Sequence, residues 1–163
     1  MSCLRTLGHK FIYLAGPIFN CTVGEANDWR ANFKARLPEG IHGISPLRCE
    51  PLIGERYGLS YDDPRFGTAK AISSKNWYDV QNCDITLAYL SNPNGNTPSY
   101  GTIMEIGAAL AFNKPVIVVT TDPIMAKHPL TLGKAGWIFD NFDDAYDLVV
   151  GLFGDYVHEL QES

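Results

Sequence analysis

The chain lacks a membrane span: no apolar run approaches the ~18 consecutive residues that a helix needs to cross a bilayer. Met1 to Lys10 has no apolar stretch ahead of a small-residue cleavage site, so no secretory leader and a cytoplasmic location are expected. Cysteine is sparse and scattered. Cys3, Cys21, Cys49 and Cys83 form no C-x-x-C pair, which points to reduced thiols rather than a disulfide framework or a zinc site. His9, His42, His128 and His158 show no metal-ligand spacing either, so neither a metal nor another cofactor is expected. Charge is thin as well, with 19% of residues charged and a net charge of −5. A binder of polymeric nucleic acid would show a basic stripe, and none is present. A small anion held by a few local groups is compatible with this balance. There is no internal repeat and no low-complexity linker. The 163 residues therefore read as a single domain over 1–163, long enough to bury a full core.

What is present is an alternation of strand and helix patterns. Phe11-Ile12-Tyr13-Leu14-Ala15 is a short apolar run ended by Gly16-Pro17, and predicts a buried strand. Val23 to Leu37 predicts a helix with Trp29 and Phe33 one turn apart and charges on the other side, stopped by Pro38. His42 to Leu47 reads as a second, weaker strand. Thr68 to Cys83 predicts a helix marked by Ala69, Ile72, Trp77 and Val80. Asp84 to Leu90 is a strong strand pattern, Gly101 to Asn113 an apolar helix, and Pro115 to Thr120 a strand of the buried, parallel kind. Gly136 to Phe139 predicts a short edge strand, and Phe142 to Phe153 a closing amphipathic helix. Strands alternating with helices imply an α/β fold: a mainly parallel, doubly wound sheet of about five strands with helices on both faces. The stretch from Pro123 to Pro129 reads as a surface loop that could close over a site. Arg48 to Gly67 is longer and irregular. Connections beyond ~12–15 residues in a compact domain are usually functional or disordered. This one carries aromatics and three arginines, so a lid or substrate loop is expected.

Between Asp84 and Lys114, Glu105 is the only side chain carrying a full charge at neutral pH. Its helix reads as apolar on every side, which predicts a buried element, and a carboxylate seldom enters such a place without a partner or a task. Placed in the first turn, it would be kept ionised by the helix dipole and free N–H groups, and would serve as a nucleophile. The same residues also fit a capping box, Thr102-x-x-Glu105, with Glu105 bonding back to the Thr102 N–H. In parallel sheets ligands bind beyond the carboxyl ends of the strands. Three loops meet there: Ala15 to Asn20, Leu47-Arg48, and Ser91 to Thr102. Gly16 lets backbone approach a ligand closely, or simply makes a turn. Tyr13 packs in the core or faces the pocket. Arg48 pairs with an anion or base edge, or is a solvated charge. Ser99 and Gly101 precede a helix N-terminus, a ready anion site or an ordinary cap. Asn76 and Asp79 share a helical face, and from the residues alone a solvent-facing polar pair is expected.

With these residues in view, the chain resembles the nucleoside 2-deoxyribosyltransferase family. The matching pieces are Ile12-Tyr13-Leu14-Ala15-Gly16-Pro17-Ile18-Phe19, Asp79-Val80-x-x-Cys83-Asp84-Ile85, Ser99-x-Gly101-Thr102-x-x-Glu105-Ile106-Gly107-x-Ala109 and Lys114-Pro115-Val116. They run in the family's order over most of residues 11 to 120, and the third is the specific one. The resemblance implies a flavodoxin-like fold and Glu105 as a covalent nucleophile. Glu105 would attack C1′ of a 2′-deoxynucleoside, release the base and pass the sugar to another base. It implies Tyr13 as the residue that orients Glu105, and Gly16, Pro17, Phe19, Arg48, Ser99 and Gly101 around the substrate. The family's base-protonating aspartate falls on Asn76, which has no acidic proton, so Asp79 one turn later is expected to supply it. Ser99 stands where the transferases tend to carry an aspartate. Related 2′-deoxynucleoside 5′-monophosphate N-glycosidases carry serine there, so hydrolysis of a deoxynucleotide is the alternative activity. A non-catalytic nucleotide-binding module is a second alternative. The expected partners are a nucleoside or nucleotide and a free nucleobase. A homo-oligomer with sites near subunit interfaces is implied, with no metal or cofactor.

Overall fold

The computed structural model describes residues 8–90 and 99–158, with side chains described as far as Gly154. Most of the Ser91 to Thr102 loop, at 91–98, therefore lies outside the described residues. Five strands form one parallel sheet: β1 (Lys10–Ala15), β2 (Ile41–Ile44), β3 (Ile85–Tyr89), β4 (Val116–Val119) and β5 (Trp137–Phe139). Their order is β2-β1-β3-β4-β5. The chain starts near the middle and reverses its direction of winding between β1 and β3, the doubly wound order that opens a crevice at that junction. Register pairs Tyr13 with Thr86 and Ala15 with Ala88.

The sheet sorts its side chains by parity, because neighbours along a strand point to opposite faces. Ile12, Leu14, Ile85, Leu87, Ile117 and Val119 face one layer, where they pack with Phe33, Ala145 and Val149. That layer is α1 (Val23–Arg36) and α6 (Phe142–His158). Tyr13, Ala15, Ala88, Val116 and Val118 face the other layer, packing with Val80, Cys83, Ala108 and Ala109. That second layer is α2 (Ala69–Asn82) and α3 (Tyr100–Ala111). Each helix begins where the sequence offers a cap. Thr22 and Glu25 form a reciprocal capping box at α1, with bonds of 3.1 and 2.8 Å. Thr68 caps α2 and Ser99 caps α3.

Several expectations need correction. The stretch after β4 is not a plain loop: it forms α4 (Pro123–Lys127) and α5 (Pro129–Lys134). Asp122 caps the first and His128 the second, and each proline sits at a first helical position, where its missing N–H costs nothing. β2 ends at Ile44 rather than Leu47, because Pro46 has no N–H and Ser45 Oγ turns the chain by accepting from Leu47 N at 3.1 Å. Helix α3 is not buried all round: Tyr100, Ile103 and Met104 are exposed, while Thr102, Ala108 and Ala109 face inward. Nor do all charges of α1 face outward, since Arg30 is 1% exposed. His9 and His42, distant in sequence, stack with Nδ1 and Nε2 2.6 Å apart at the β2 edge. Among the described residues no helix is long and apolar enough to cross a membrane.

The long segment after β2 is ordered by its own polar groups and by the β1–α1 loop. Glu50 accepts from the backbone N–H groups of Asp62 and Asp63 at 2.8 and 3.2 Å. Tyr57 exchanges backbone bonds with Asn20 and Cys21. A small cluster of Cys21, Ala26 and Leu47, with Ile18, Tyr57 and Tyr61 against it, locks the two loops together above the sheet.

Gly16, at the end of β1, is fixed by packing. A Cβ there would lie 2.5 Å from Trp29 Cζ2 and 3.2 Å from Arg30 Nη2. Gly16→Ala is therefore expected to lower the unfolding free energy by about 1–3 kcal/mol through overpacking. Urea denaturation checks this; unchanged stability would show that Trp29 can swing aside.

Candidate active site

Glu105 sits in the second turn of α3, six residues past the Ser99 cap. The cap geometry corrects the first-turn placement of Glu105 and its part in a capping box. Ser99 Oγ, not Glu105, accepts from the Thr102 N–H, at 3.3 Å, and Glu105 is too deep in the helix to cap it. Instead its carboxylate meets the sheet. The Tyr13 hydroxyl, fully buried on β1, donates to Glu105 Oε1 at 2.7 Å. Asn76 Nδ2, from α2, donates to the same oxygen at 3.1 Å. Among the described residues no donor reaches Oε2. The carboxylate is thus clamped on one oxygen, with the other left as an acceptor.

Two opposed influences act on this group. Burial raises the Glu105 pKa above the ordinary glutamate value, and this is the largest effect. The Tyr13 hydrogen bond, the Arg30 charge, the Asn76 hydrogen bond and the Lys75 charge pull it back, in that order. Burial likewise raises Tyr13 well above the usual phenol range, with the neighbouring Glu105 charge adding to it, so the phenol remains a donor.

Arg30 enters the site from the α1 layer. Its Nε donates to Leu14 O and its Nη2 to Gly16 O, both at 3.0 Å, and its Nη1 donates to Ala26 O. All three acceptors are backbone carbonyls, so the buried cation is compensated by dipoles. The guanidinium also lies over the Trp29 ring, 4.5 Å from its centroid. Burial pulls Arg30 down to about 10. This side chain stitches both ends of Ala15 to α1, holding the strand that carries Tyr13.

The α2 face is polar but not solvated. Asp79 is 5% exposed and receives both Arg48 amines, Nη1 on Oδ2 at 2.6 Å and Nη2 on Oδ1 at 2.9 Å. The expectation of a solvent-facing Asn76–Asp79 pair fails because α2 turns this face toward the Ser45–Arg48 loop and α3. Both Asp79 oxygens thus accept from one guanidinium, a bidentate contact. Lys75, 7% exposed, donates to Pro46 O at 2.7 Å and to Asn76 Oδ1 at 2.8 Å. From the long loop, Tyr61 has its pKa raised, chiefly by burial and next by the Glu105 charge.

The remaining sequence candidates divide. Gly16 and Pro17 are buried beneath the β1–α1 turn, while Phe19 projects from it, 63% exposed. Ser99 caps α3, with its hydroxyl 2.7 Å from Thr102 Oγ1, and a Cβ on Gly101 would meet nothing within 4 Å. Sequence reasoning missed Arg30, Lys75 and Tyr61. Among the described residues no group of three or more His, Cys, Asp or Glu is placed to hold a metal ion.

A family model described as nucleoside 2-deoxyribosyltransferase matches residues 12–149. The comparison with curated proteins yields no match. Among solved structures, a 2-desoxiribosyltransferase from Leishmania mexicana superposes with a TM-score of 0.62 at 23% identity, over 87% of this chain and 97% of that one. A 2-deoxyribosyltransferase from Bacillus psychrosaccharolyticus gives 0.55 at 21%, over 83% and 90%. A Clostridium botulinum CMP N-glycosidase gives 0.50 at 15%, over 86% and 98%. At these identities the superpositions establish a shared fold.

The raised Glu105 pKa has a consequence for stability. A carboxyl that binds its proton more tightly when folded stabilises the fold below its unfolded pKa, about 4.3, and loses that contribution as pH rises through the folded value. Glu105→Gln preserves an Oε1 acceptor for Tyr13 and Asn76 without the buried charge. Its melting temperature is expected to exceed that of the wild type at pH 7–8, with the gain vanishing toward pH 4. A thermal scan across pH measures this; a Gln variant less stable at neutral pH would show that the partners of Glu105 outweigh its burial.

Proposed function

The chain belongs to the nucleoside 2-deoxyribosyltransferase family, and we propose that it cleaves the N-glycosidic bond of 2′-deoxynucleosides through a covalent ester on Glu105, then passes the sugar to a second nucleobase. One observation carries this reading. A half-buried carboxylate has one oxygen clamped by Tyr13 and Asn76, while no donor among the described residues reaches the other. It lies beside the β1/β3 junction, where parallel sheets of this order take their ligands.

In this reading Oε2 attacks C1′ as the C1′–N bond breaks through an oxocarbenium-like transition state. The electron pair leaves with the base nitrogen, and the departing base takes a proton from solvent water, to which the incoming base later gives one back. Tyr13 and Asn76 hold Oε1, so the carboxylate cannot rotate away, and their hydrogen bonds restrain it in line with C1′. The nitrogen of an incoming base then attacks C1′ from the opposite side and loses its own proton, which restores Glu105. The two displacements retain the configuration at C1′. Asp79, paired with Arg48, is assigned the task of holding that arginine at the pocket edge rather than protonating the base.

Ser99 favours a second reading, hydrolysis of a 2′-deoxynucleoside 5′-monophosphate with water as the acceptor. A neutral hydroxyl beside the free N–H groups that open α3 tolerates a phosphate that a carboxylate would repel. One substrate panel separates the readings: deoxyadenosine and its 5′-monophosphate, each with and without free cytosine, resolved by chromatography. The wild type should release adenine, and cytosine should yield the corresponding deoxycytidine product. Glu105→Ala should lose roughly three or more orders of magnitude in turnover. Ser99→Asp should lower use of the monophosphate relative to the nucleoside about tenfold or more through like-charge repulsion. Near-wild-type rates in Glu105→Ala would overturn the nucleophile. Binding without products in every protein would leave only a nucleotide-binding module.

We also propose a cytoplasmic homo-oligomer. Trp77, Tyr78, Tyr100, Ile103 and Met104 expose apolar surface on neighbouring helices α2 and α3, close to Glu105. Light scattering after size exclusion should give a multiple of 18.0 kDa, and Met104→Glu should shift it downward. A monomer at every concentration would sink this assembly.

A further inference from the structure

We propose that Lys75 is a positioning residue for the nucleophile, acting through Asn76: its ammonium fixes which end of the Asn76 amide faces Glu105. The inference rests on the reading of Glu105 as the nucleophile and adds a residue that acts on it.

The argument begins with chemistry rather than atom labels. An amide presents an oxygen at one end and an NH2 at the other, and either could face a carboxyl group. A protonated carboxyl would welcome the oxygen, while an ionised carboxylate requires the NH2. A lysine ammonium settles the choice because it can only donate. Lys75 Nζ lies 2.8 Å from one end of the Asn76 amide, so that end must be Oδ1. Nδ2 is then turned to Glu105 Oε1 at 3.1 Å. The lysine is itself fixed. It is 7% exposed, donates to Pro46 O at 2.7 Å, and lies 3.8 Å from Asp79 Oδ2. Asp79 is held in turn by both Arg48 amines. Flipping the amide would set an NH2 against an ammonium and an oxygen against a carboxylate, two repulsive contacts at once.

The lock has a chemical direction. A donor permanently aimed at Oε1 stabilises the ionised Glu105 and disfavours its protonated form. Burial works the other way, so the lock acts where the nucleophile needs support. The groups facing Glu105 are Tyr13 from β1, Arg30 from α1, Tyr61 from the long loop, and Asn76 and Lys75 from α2. Of these, Asn76 alone has a two-ended side chain whose polarity must be chosen, and Lys75 makes that choice. Lys75 touches neither the reacting carbon nor the carboxylate in this arrangement, so its effect passes through the amide.

Two measurements test the proposal on the full chain. The first is nitrogen-15 NMR of the Asn76 side-chain amide, assigned by its loss in Asn76→Ala. In the wild type its NH2 signals should follow a pH titration that disappears in Glu105→Gln. In Lys75→Met that titration should shrink to half or less. The second is a double-mutant cycle in kcat/KM, taken across pH with the best substrate of the panel above. Lys75→Met and Asn76→Ala should each cost about tenfold, the order of one hydrogen bond to a charged group. The double variant should lose no more than about threefold beyond Asn76→Ala alone, because the lysine has nothing left to orient. The acid limb of the Lys75→Met profile should move to higher pH. Losses that multiply to about a hundredfold would overturn the proposal. So would a wild-type Asn76 amide that ignores the Glu105 titration, a result that needs no lysine variant to fold. If no protein turns over nucleosides yet the amide still tracks Glu105 through Lys75, the nucleoside reading fails and the lock stands. If the wild type is active and the cycle is multiplicative, the lock fails and the nucleoside reading stands.

Discussion

The central constraint is one carboxylate drawn part of the way out of water. Glu105 occupies a helix whose other side chains offer it nothing, so every polar partner must come from elsewhere. Tyr13 reaches it from the strand beneath, Asn76 from the adjacent helix, and the Arg30 charge from the opposite layer. These partners stand together only when β1, α2 and α3 are all docked. A poorly hydrated carboxylate is thereby coupled to the docking of three elements. An isolated α3 would leave the same carboxylate unsatisfied in an apolar surface.

The cations around the site follow a common pattern. Arg30 is held by three backbone carbonyls, and Lys75 by one carbonyl and one amide oxygen. Neither forms a close ion pair with Glu105. A direct ion pair would neutralise the carboxylate and occupy lone pairs that the proposed nucleophilic attack needs. Holding their hydrogen bonds on neutral acceptors keeps the long-range support of these cations while no donor among the described residues reaches Oε2. Asp79 is the carboxylate that the cations do pair with: Arg48 grips it through a short bidentate contact that fixes a loop edge, and Lys75 lies 3.8 Å from its Oδ2.

The fold was readable wherever one physical signal dominated. Apolar runs mark β1, β3 and β4, and helical spacing marks α1, α2 and α3; Ser99 was legible as a cap, whereas Thr22 and Thr68 show as caps only in the structure. Helices α4 and α5, five and six residues long, were read as a surface loop because they are too short to show a helical period; the preceding Asp122 and His128 identify Pro123 and Pro129 as first-turn prolines. At the site, Glu105 stood out because charge is absent around it. The Tyr13 contact became visible only through the family motif, since an aromatic on a buried strand ordinarily packs. Arg30 and Lys75 were invisible for a different reason. A long cation on a helix is solvated by default, and burial of its head depends on carbonyls that only tertiary structure assembles. Asp79 was legible as a neighbour of Asn76, but its engagement by Arg48 depends on a loop some thirty residues away in sequence.

Asparagine at position 76 can now be understood by what an acid there would do. An aspartate would place a second carboxyl about 3 Å from Oε1 of Glu105, and two such groups cannot both ionise without strong repulsion. They would share a proton, and the nucleophile would spend part of its time protonated. Lys75 would be drawn into neutralising the pair. The amide removes that conflict. It gives the lysine an acceptor and Glu105 a donor, carries no charge of its own, and so lets one ammonium support the nucleophile from a distance. What asparagine gives up is the acidic proton. What the amide supplies instead is a second donor, beside Tyr13, on one oxygen of Glu105, and under the proposed reaction the proton for the leaving base has to come from another source than position 76.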